Sequence, residues 1–324
     1  MTTPEIHART RLVAMFTILV AGLVLGYLAS NRFSLPERFA KKIMTAVLVS
    51  FNWPIALLVI WPMQLTRQLI WLPILGLFLM LSSTALSAML FSFLEKNRKS
   101  RLTLILAGGL SNIGYTGGAF VCYALFGTQG LAMAHIYLLI CLPTFYLIYL
   151  PLLKVYELHT EKHSSKSKLN FLLDFRMLAI PAMVAAIILN LTNVKPPCFI
   201  AKLHIIDVLV YIASSLSFFA IGLQVNLSRL KNYTSLYFPL AVVKFILSPA
   251  LALFMIWLLL LKGQNLTILV QRVIIVLSAT PSAVLMVTMS NVFDLDGPLA
   301  SALWVATMTI FAVIIVPLLF IIFT

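Results

Sequence analysis

Acidic residues are scarce in this chain: nine Asp and Glu stand against 23 Lys and Arg in 324 residues. None of the nine lies in the middle of an apolar run, so carboxylate-based ion coupling lacks its usual residue. They are also too sparse to form a buried acid–base pair. Cysteine is nearly absent. Cys122 and Cys141 fall in apolar runs and Cys198 in a connector, which gives neither a disulfide framework nor a zinc-site spacing. No H-E-x-x-H and no G-x-S-x-G occurs. An enzyme, a metal and a cofactor are therefore not expected. Long polar stretches are missing as well, and the longest, Lys154 to Asn170, is too short for a soluble domain.

What is present is apolar: 62% of residues are hydrophobic, 10% are charged, and the mean hydropathy is +1.06. Soluble domains average about 45–50% apolar and about 25% charged residues. A soluble fold of this length could not bury so much apolar surface, so the excess must face lipid. A bilayer core needs roughly 20 apolar residues per helix. About ten spans are predicted, at 12–30, 43–61, 69–94, 102–126, 130–153, 172–192, 204–226, 233–261, 266–292 and 298–323. Basic residues before the first span and the small residues of YLAS also fit a secretory signal, but the apolar run is long for one.

The formal charge of +14 sits in short loop clusters, which suit orientation better than nucleic-acid binding. Connectors on the side of the first loop carry fifteen Lys and Arg, and the opposite side carries six. The positive-inside rule then puts both termini outside and the 154–170 loop in the cytoplasm of a cell inner membrane.

An internal repeat is legible. Pro36, Ala40, Lys41 and Val47-Leu48-Val49 match Pro197, Ala201, Lys202 and Val208-Leu209-Val210 at a constant offset. Ser111, Phe126 and Gly130 match Ser278, Phe293 and Gly297, and Leu150-Pro151-Leu152-Leu153 matches Val316-Pro317-Leu318-Leu319. Five spans per copy is an odd number, so the copies run in opposite directions across the membrane, a plan found in secondary transporters. The expected organisation is a first five-helix repeat over 1–153, a cytoplasmic loop over 154–170 and an inverted repeat over 171–324.

The fourth span reads AGGLSNIGYTGGAF and the ninth LSATPSAVLMVTMSN. The repeat sets Gly114 opposite Pro281, a helix breaker at the same depth in each copy. Irregular backbone at membrane depth is tolerated only where protein or a water-filled cavity satisfies it. Broken helices present half-helix ends to an anion. The candidate substrate-binding residues are Asn112, Gly114, Tyr115, Thr116, Gly117, Ser278, Thr280, Pro281, Ser282 and Lys244, the last as a source of positive field in the eighth span. His135 is the candidate ion-coupling group. The bland reading is that Gly, Ser and Pro here serve close helix packing alone.

Several short stretches, in order, resemble the auxin efflux carrier family of membrane transporters over essentially the whole chain. They are Gly26-Tyr27 before Pro36, Asn112-Ile113-Gly114-Tyr115 with Gly117, Leu125-Phe126-Gly127 with Gly130-Leu131, Phe219-x-x-Gly222, Lys244 with Pro249, and Ala279-x-Pro281. The resemblance implies ten helices in two inverted repeats, a crossing of the fourth and ninth helices at the substrate site, and elevator-like alternating access. It also implies small organic anions as cargo, such as malonate, malate or auxin-like acids. Where many members carry Gly-Pro in the fourth-span motif, this chain has Gly117-Gly118. A sodium-coupled carrier of the bile-acid type and a ligand-binding sensor or scaffold are the alternatives. Partners are then the organic anion and the bilayer, with no nucleic acid, and a homodimer is left open.

Overall fold

Lipid offers no hydrogen bonds, so each backbone N–H and C=O of a spanning segment must be satisfied within the protein, which selects helices for an apolar chain of this kind. The computed structural model describes residues 3–33, 37–153, 178–224 and 233–323. Among the described residues no strand forms, and seven helical stretches are long and apolar enough to cross a membrane. They are Val13–Phe33, Lys42–Ile60, Arg67–Leu94, Gly118–Leu153, Ile205–Gln224, Thr234–Leu261 and Gly297–Phe323. The chain is an all-helical, multi-pass membrane protein.

Three expected spans do not stand as single helices, for identifiable reasons. The region 102–126 is interrupted between the helices Arg98–Gly109 and Gly118–Thr144, the latter kinked at Gly127 (φ 66°). The region 266–292 is divided into Ile268–Ser278 and Val284–Val292. The region 172–192 is described only from Leu178 onward, where Ala179–Leu191 is helical. The expected cytoplasmic loop at 154–170 lies outside the described residues.

The core is apolar, and many large apolar side chains are exposed as well. Phe93 is 86% and Ile321 78% exposed on the protein surface, whereas Lys244 is 1% exposed. The exposed apolar side chains match a lipid environment; the buried lysine demands an internal partner.

Among the described residues three helices carry a π-helical turn, at Phe145–Tyr149, Val243–Leu247 and Phe311–Ile315. Each ends two residues before a proline: Pro151, Pro249 and Pro317. A proline inside a helix lacks an N–H and clashes with the carbonyl four residues back. Widening the preceding turn moves that carbonyl aside. In each case the residue immediately before the proline donates its N–H five residues back: Leu150 to Phe145, Ser248 to Val243 and Val316 to Phe311.

By its internal contacts the chain forms two compact units, each assembled from separate stretches of sequence. The first comprises Met1–Thr66, Gly114–Ile136 and Lys166–Val225. Here Thr3–Phe33 packs on Ile205–Gln224 through facing glycines. A Cβ on Gly26 would lie 2.2 Å from the Phe219 carbonyl oxygen, and one on Gly222 would lie 2.3 Å from that of Leu23. Backbone meets backbone, so no side chain can be accommodated. The second unit comprises Arg67–Ile113, Tyr137–Ser165 and Asn226–Thr324. In it Trp71–Leu94 packs on Arg98–Gly109, again through small residues. A Cβ on Gly108 would lie 1.7 Å from Ser87 Oγ, and one on Gly109 2.1 Å from Thr84 Oγ1.

Candidate functional site

The chemistry of the second unit converges on two interruptions. The Arg98–Gly109 helix starts with a side-chain cap, since Asn97 Oδ1 accepts the Lys99 N–H at 2.9 Å. Its first turns are tied to the Asp294–Asp296 turn: Lys99 Nζ lies 2.8 Å from Asp294 Oδ2, and Ser100 Oγ donates to Asp296 Oδ2 at 2.9 Å. Asp296 also caps the Gly297–Ile310 helix by accepting the Leu299 N–H at 3.0 Å. The start of the first interrupted helix is thereby fixed, and the helix runs to Gly109. The next residue, Leu110, is extended (φ −86°, ψ 117°).

The second interruption, Ala279–Ala283, contains Pro281, whose missing N–H already removes one rung of the helical ladder. Its backbone pairs with the first. Ser111 and Ser282 form an isolated antiparallel bridge. The Asn112 N–H donates to the Pro281 carbonyl at 2.8 Å, and the Ala283 N–H donates to the Leu110 carbonyl at 3.0 Å. The two breaks therefore satisfy each other with sheet-type hydrogen bonds inside a helical protein. The expectation of free amides needs correcting at these two positions, because Asn112 and Ala283 direct theirs across the bridge.

Around the bridge the hydroxyls are engaged. Ser282 Oγ donates to the Ala107 carbonyl at 2.7 Å, and its N–H reaches Thr307 Oγ1 at 3.3 Å. Thr280 Oγ1 donates to the Leu277 carbonyl at 2.9 Å and Ser278 Oγ to that of Ile275 at 2.7 Å. Asn112 Nδ2 lies 3.6 Å from Met308 Sδ. Lys244, inside its π-helical turn, places Nζ 2.6 Å from Ser111 Oγ, 3.3 Å from the Gly108 carbonyl oxygen and 3.4 Å from that of Leu110. The ammonium thus sits at the C-terminal end of the Arg98–Gly109 helix, where the helix dipole is negative. An ammonium has three donors, and three oxygens receive them. Its donors are directed at these oxygens, and the positive field expected of it requires no free donor.

The remaining expected residues, Gly114, Tyr115, Thr116, Gly117 and His135, belong to the first unit. The Gly114 carbonyl accepts the Gly117 N–H at 3.0 Å and closes a tight turn before the helix that starts at Gly118. Tyr115 and His135 are buried and linked: the Tyr115 hydroxyl lies 2.9 Å from His135 Nε2, and His135 Nδ1 lies 2.8 Å from the Leu131 carbonyl oxygen. A carbonyl only accepts, so Nδ1 carries a proton, and both ring nitrogens of His135 have a partner.

Sequence reasoning did not anticipate Gly108, Leu110, Ala107 and Thr307 as partners in the second unit. Three of these act through a backbone carbonyl, which leaves no trace in side-chain chemistry. Thr307 is one hydroxyl in an apolar run. Among the described residues no group of three His, Cys, Asp or Glu side chains could hold a metal. No protein-family model matches the chain, and no curated protein matches it.

Proposed function

We propose that the chain is a secondary transporter that carries small organic anions, of the mono- or dicarboxylate kind, across a cell inner membrane by alternating access. The observation that carries this reading is the pairing of two interrupted helical regions at Ser111 and Ser282, within a basic chain that buries no carboxylate among the described residues. A receptor or scaffold has no need of two broken spans, each of which gives up helical hydrogen bonds in lipid. A carrier uses them to place polar groups at mid-depth.

In this reading the chain holds ten spans in two inverted five-helix repeats, the fourth and ninth being the broken ones. The matching π-helical turns support it: Phe145–Tyr149 and Phe311–Ile315 lie at the same offset as Leu150-Pro151-Leu152-Leu153 and Val316-Pro317-Leu318-Leu319. The excess of Lys and Arg on one side supports external termini. The resemblance to the auxin efflux carriers agrees in kind of cargo. Asn112 and the first-turn amides of the Val284–Val292 helix, all in the second unit, are the groups we assign to the anion, since the first amides of a helix lack intrahelical partners.

The test is reconstitution of the purified protein into liposomes, followed by uptake of labelled malonate, malate and an aromatic acid. Saturable uptake of at least one, inhibited by its unlabelled form, is expected. Absence of both uptake and binding for every acid would remove the proposal.

A further inference from the structure

We propose that Lys244 Nζ is a built-in cation, filling a three-oxygen site made by the Gly108 and Leu110 carbonyls and Ser111 Oγ, so that the paired breaks need no bound sodium ion. The proposal goes beyond the transport reading by naming what holds the bridge together; its bearing on ion coupling rests on that reading, while the site itself rests on geometry.

Carbonyl and hydroxyl oxygens converging at the C-terminal end of a helix are the donor set of an alkali-cation site, because each is a hard oxygen with a lone pair facing inward. The helix dipole adds partial negative charge at the same point. In this chain that position is taken by a tethered ammonium at 2.6, 3.3 and 3.4 Å from the three oxygens. Lys244 is 1% exposed and makes no ion pair among the described residues, so these oxygens are its recorded compensation for leaving water. Lys244 lies in the π-helical turn at Val243–Leu247, which ends two residues before Pro249. Leu110 also accepts from Ala283, so one carbonyl joins the cation to the bridge. The ammonium therefore holds the end of one interrupted helix in the shape that its partner reads.

Removing the side chain should convert the filled site into an open one. The experiment compares thermal unfolding midpoints of the purified native protein, Lys244→Ala and Lys244→Met in ethylammonium, sodium and N-methylglucamine chloride at matched ionic strength. Lys244→Ala is expected to unfold at lower temperature than the native protein, and to regain about 2 °C or more in ethylammonium or sodium relative to the bulky N-methylglucamine. The native protein and Lys244→Met, whose neutral chain fills the space, are expected to ignore the cation. A Lys244→Ala midpoint that is the same in all three salts would overturn the proposal. If Lys244→Ala yields no folded protein, the native chain decides: equal midpoints in sodium and N-methylglucamine support a site already filled, and a sodium-specific rise overturns it. Midpoints involve no transport, so a chain that carries no anion could pass this test and an anion carrier could fail it.

Discussion

The two interruptions leave the helical path by opposite chemistry. The first, after Gly109, is made by glycines packed so closely against Ser87 and Thr84 that their missing side chains are the design, and its helix end is held by Lys244. The second, at Ala279–Ala283, is made by a proline, and its hydroxyls Ser278 and Thr280 return to carbonyls of the helix just behind them. A glycine break is permitted by its surroundings and needs an outside cation to stabilise it. A proline break is written into the local chain and largely satisfies itself. Where the two meet, each completes the other: Asn112 donates to Pro281 and Ala283 to Leu110. The glycine break should accordingly be the brittle one.

The largest effect is expected at its tightest point. Gly108→Val would drive a Cβ to 1.7 Å from Ser87 Oγ and 2.7 Å from Ser87 Cβ. Overpacking of this kind costs about 3 kcal/mol, enough to depress yield of folded protein sharply. Normal yield and an unchanged midpoint would show that the Trp71–Leu94 and Arg98–Gly109 helices pack less closely than described. Next comes Pro281→Ala, which allows the Ile268–Ser278 helix to run on into Val284–Val292. Uptake should fall about tenfold, a shift of ~1.4 kcal/mol in the balance of broken and continuous forms, with a nearly unchanged midpoint. Full activity in this variant would mean that proline is incidental to the break.

Ser282→Ala removes the hydrogen bond to the Ala107 carbonyl across the pair of breaks. A loss of about 1 kcal/mol is expected, read as a lower unfolding midpoint. Smallest is Ser278→Ala, which loses only a bond to its own helix at Ile275. The change should stay within ~0.5 kcal/mol. If Ser278→Ala proves costlier than Ser282→Ala, the ranking of local over cross-break contacts is reversed and the comparison fails.

Much of this arrangement was legible in residues. Apolar runs mark the spans, and the helix ends at Gly109 and Ser278 fall inside the two stretches that glycine and proline single out. Pro151 and Pro317 stand out as matched positions of the repeat and Pro249 by its nearness to Lys244, but the widened turns before them were not foreseen. Lys244 stands out as a charge inside an apolar span, but its partners did not. Two of its three oxygens are main-chain carbonyls, which every residue possesses, so nothing in the sequence ranks Gly108 and Leu110 above their neighbours. The same holds for Gly26 and Gly222: each is visible as a glycine, and only coordinates show that the two helix backbones touch there. His135 is visible as a titratable group in an apolar run, but its partners Tyr115 and Leu131 are not.

The most direct test of the central claim, that paired breaks serve a carrier, is counterflow. Liposomes containing the native protein are loaded with unlabelled malonate, malate or an aromatic acid and diluted into a trace of the labelled form. The account predicts a transient accumulation of label above its external concentration for at least one acid, reduced about tenfold in rate by Pro281→Ala. Binding of an acid without any counterflow would contradict it and make the chain a receptor.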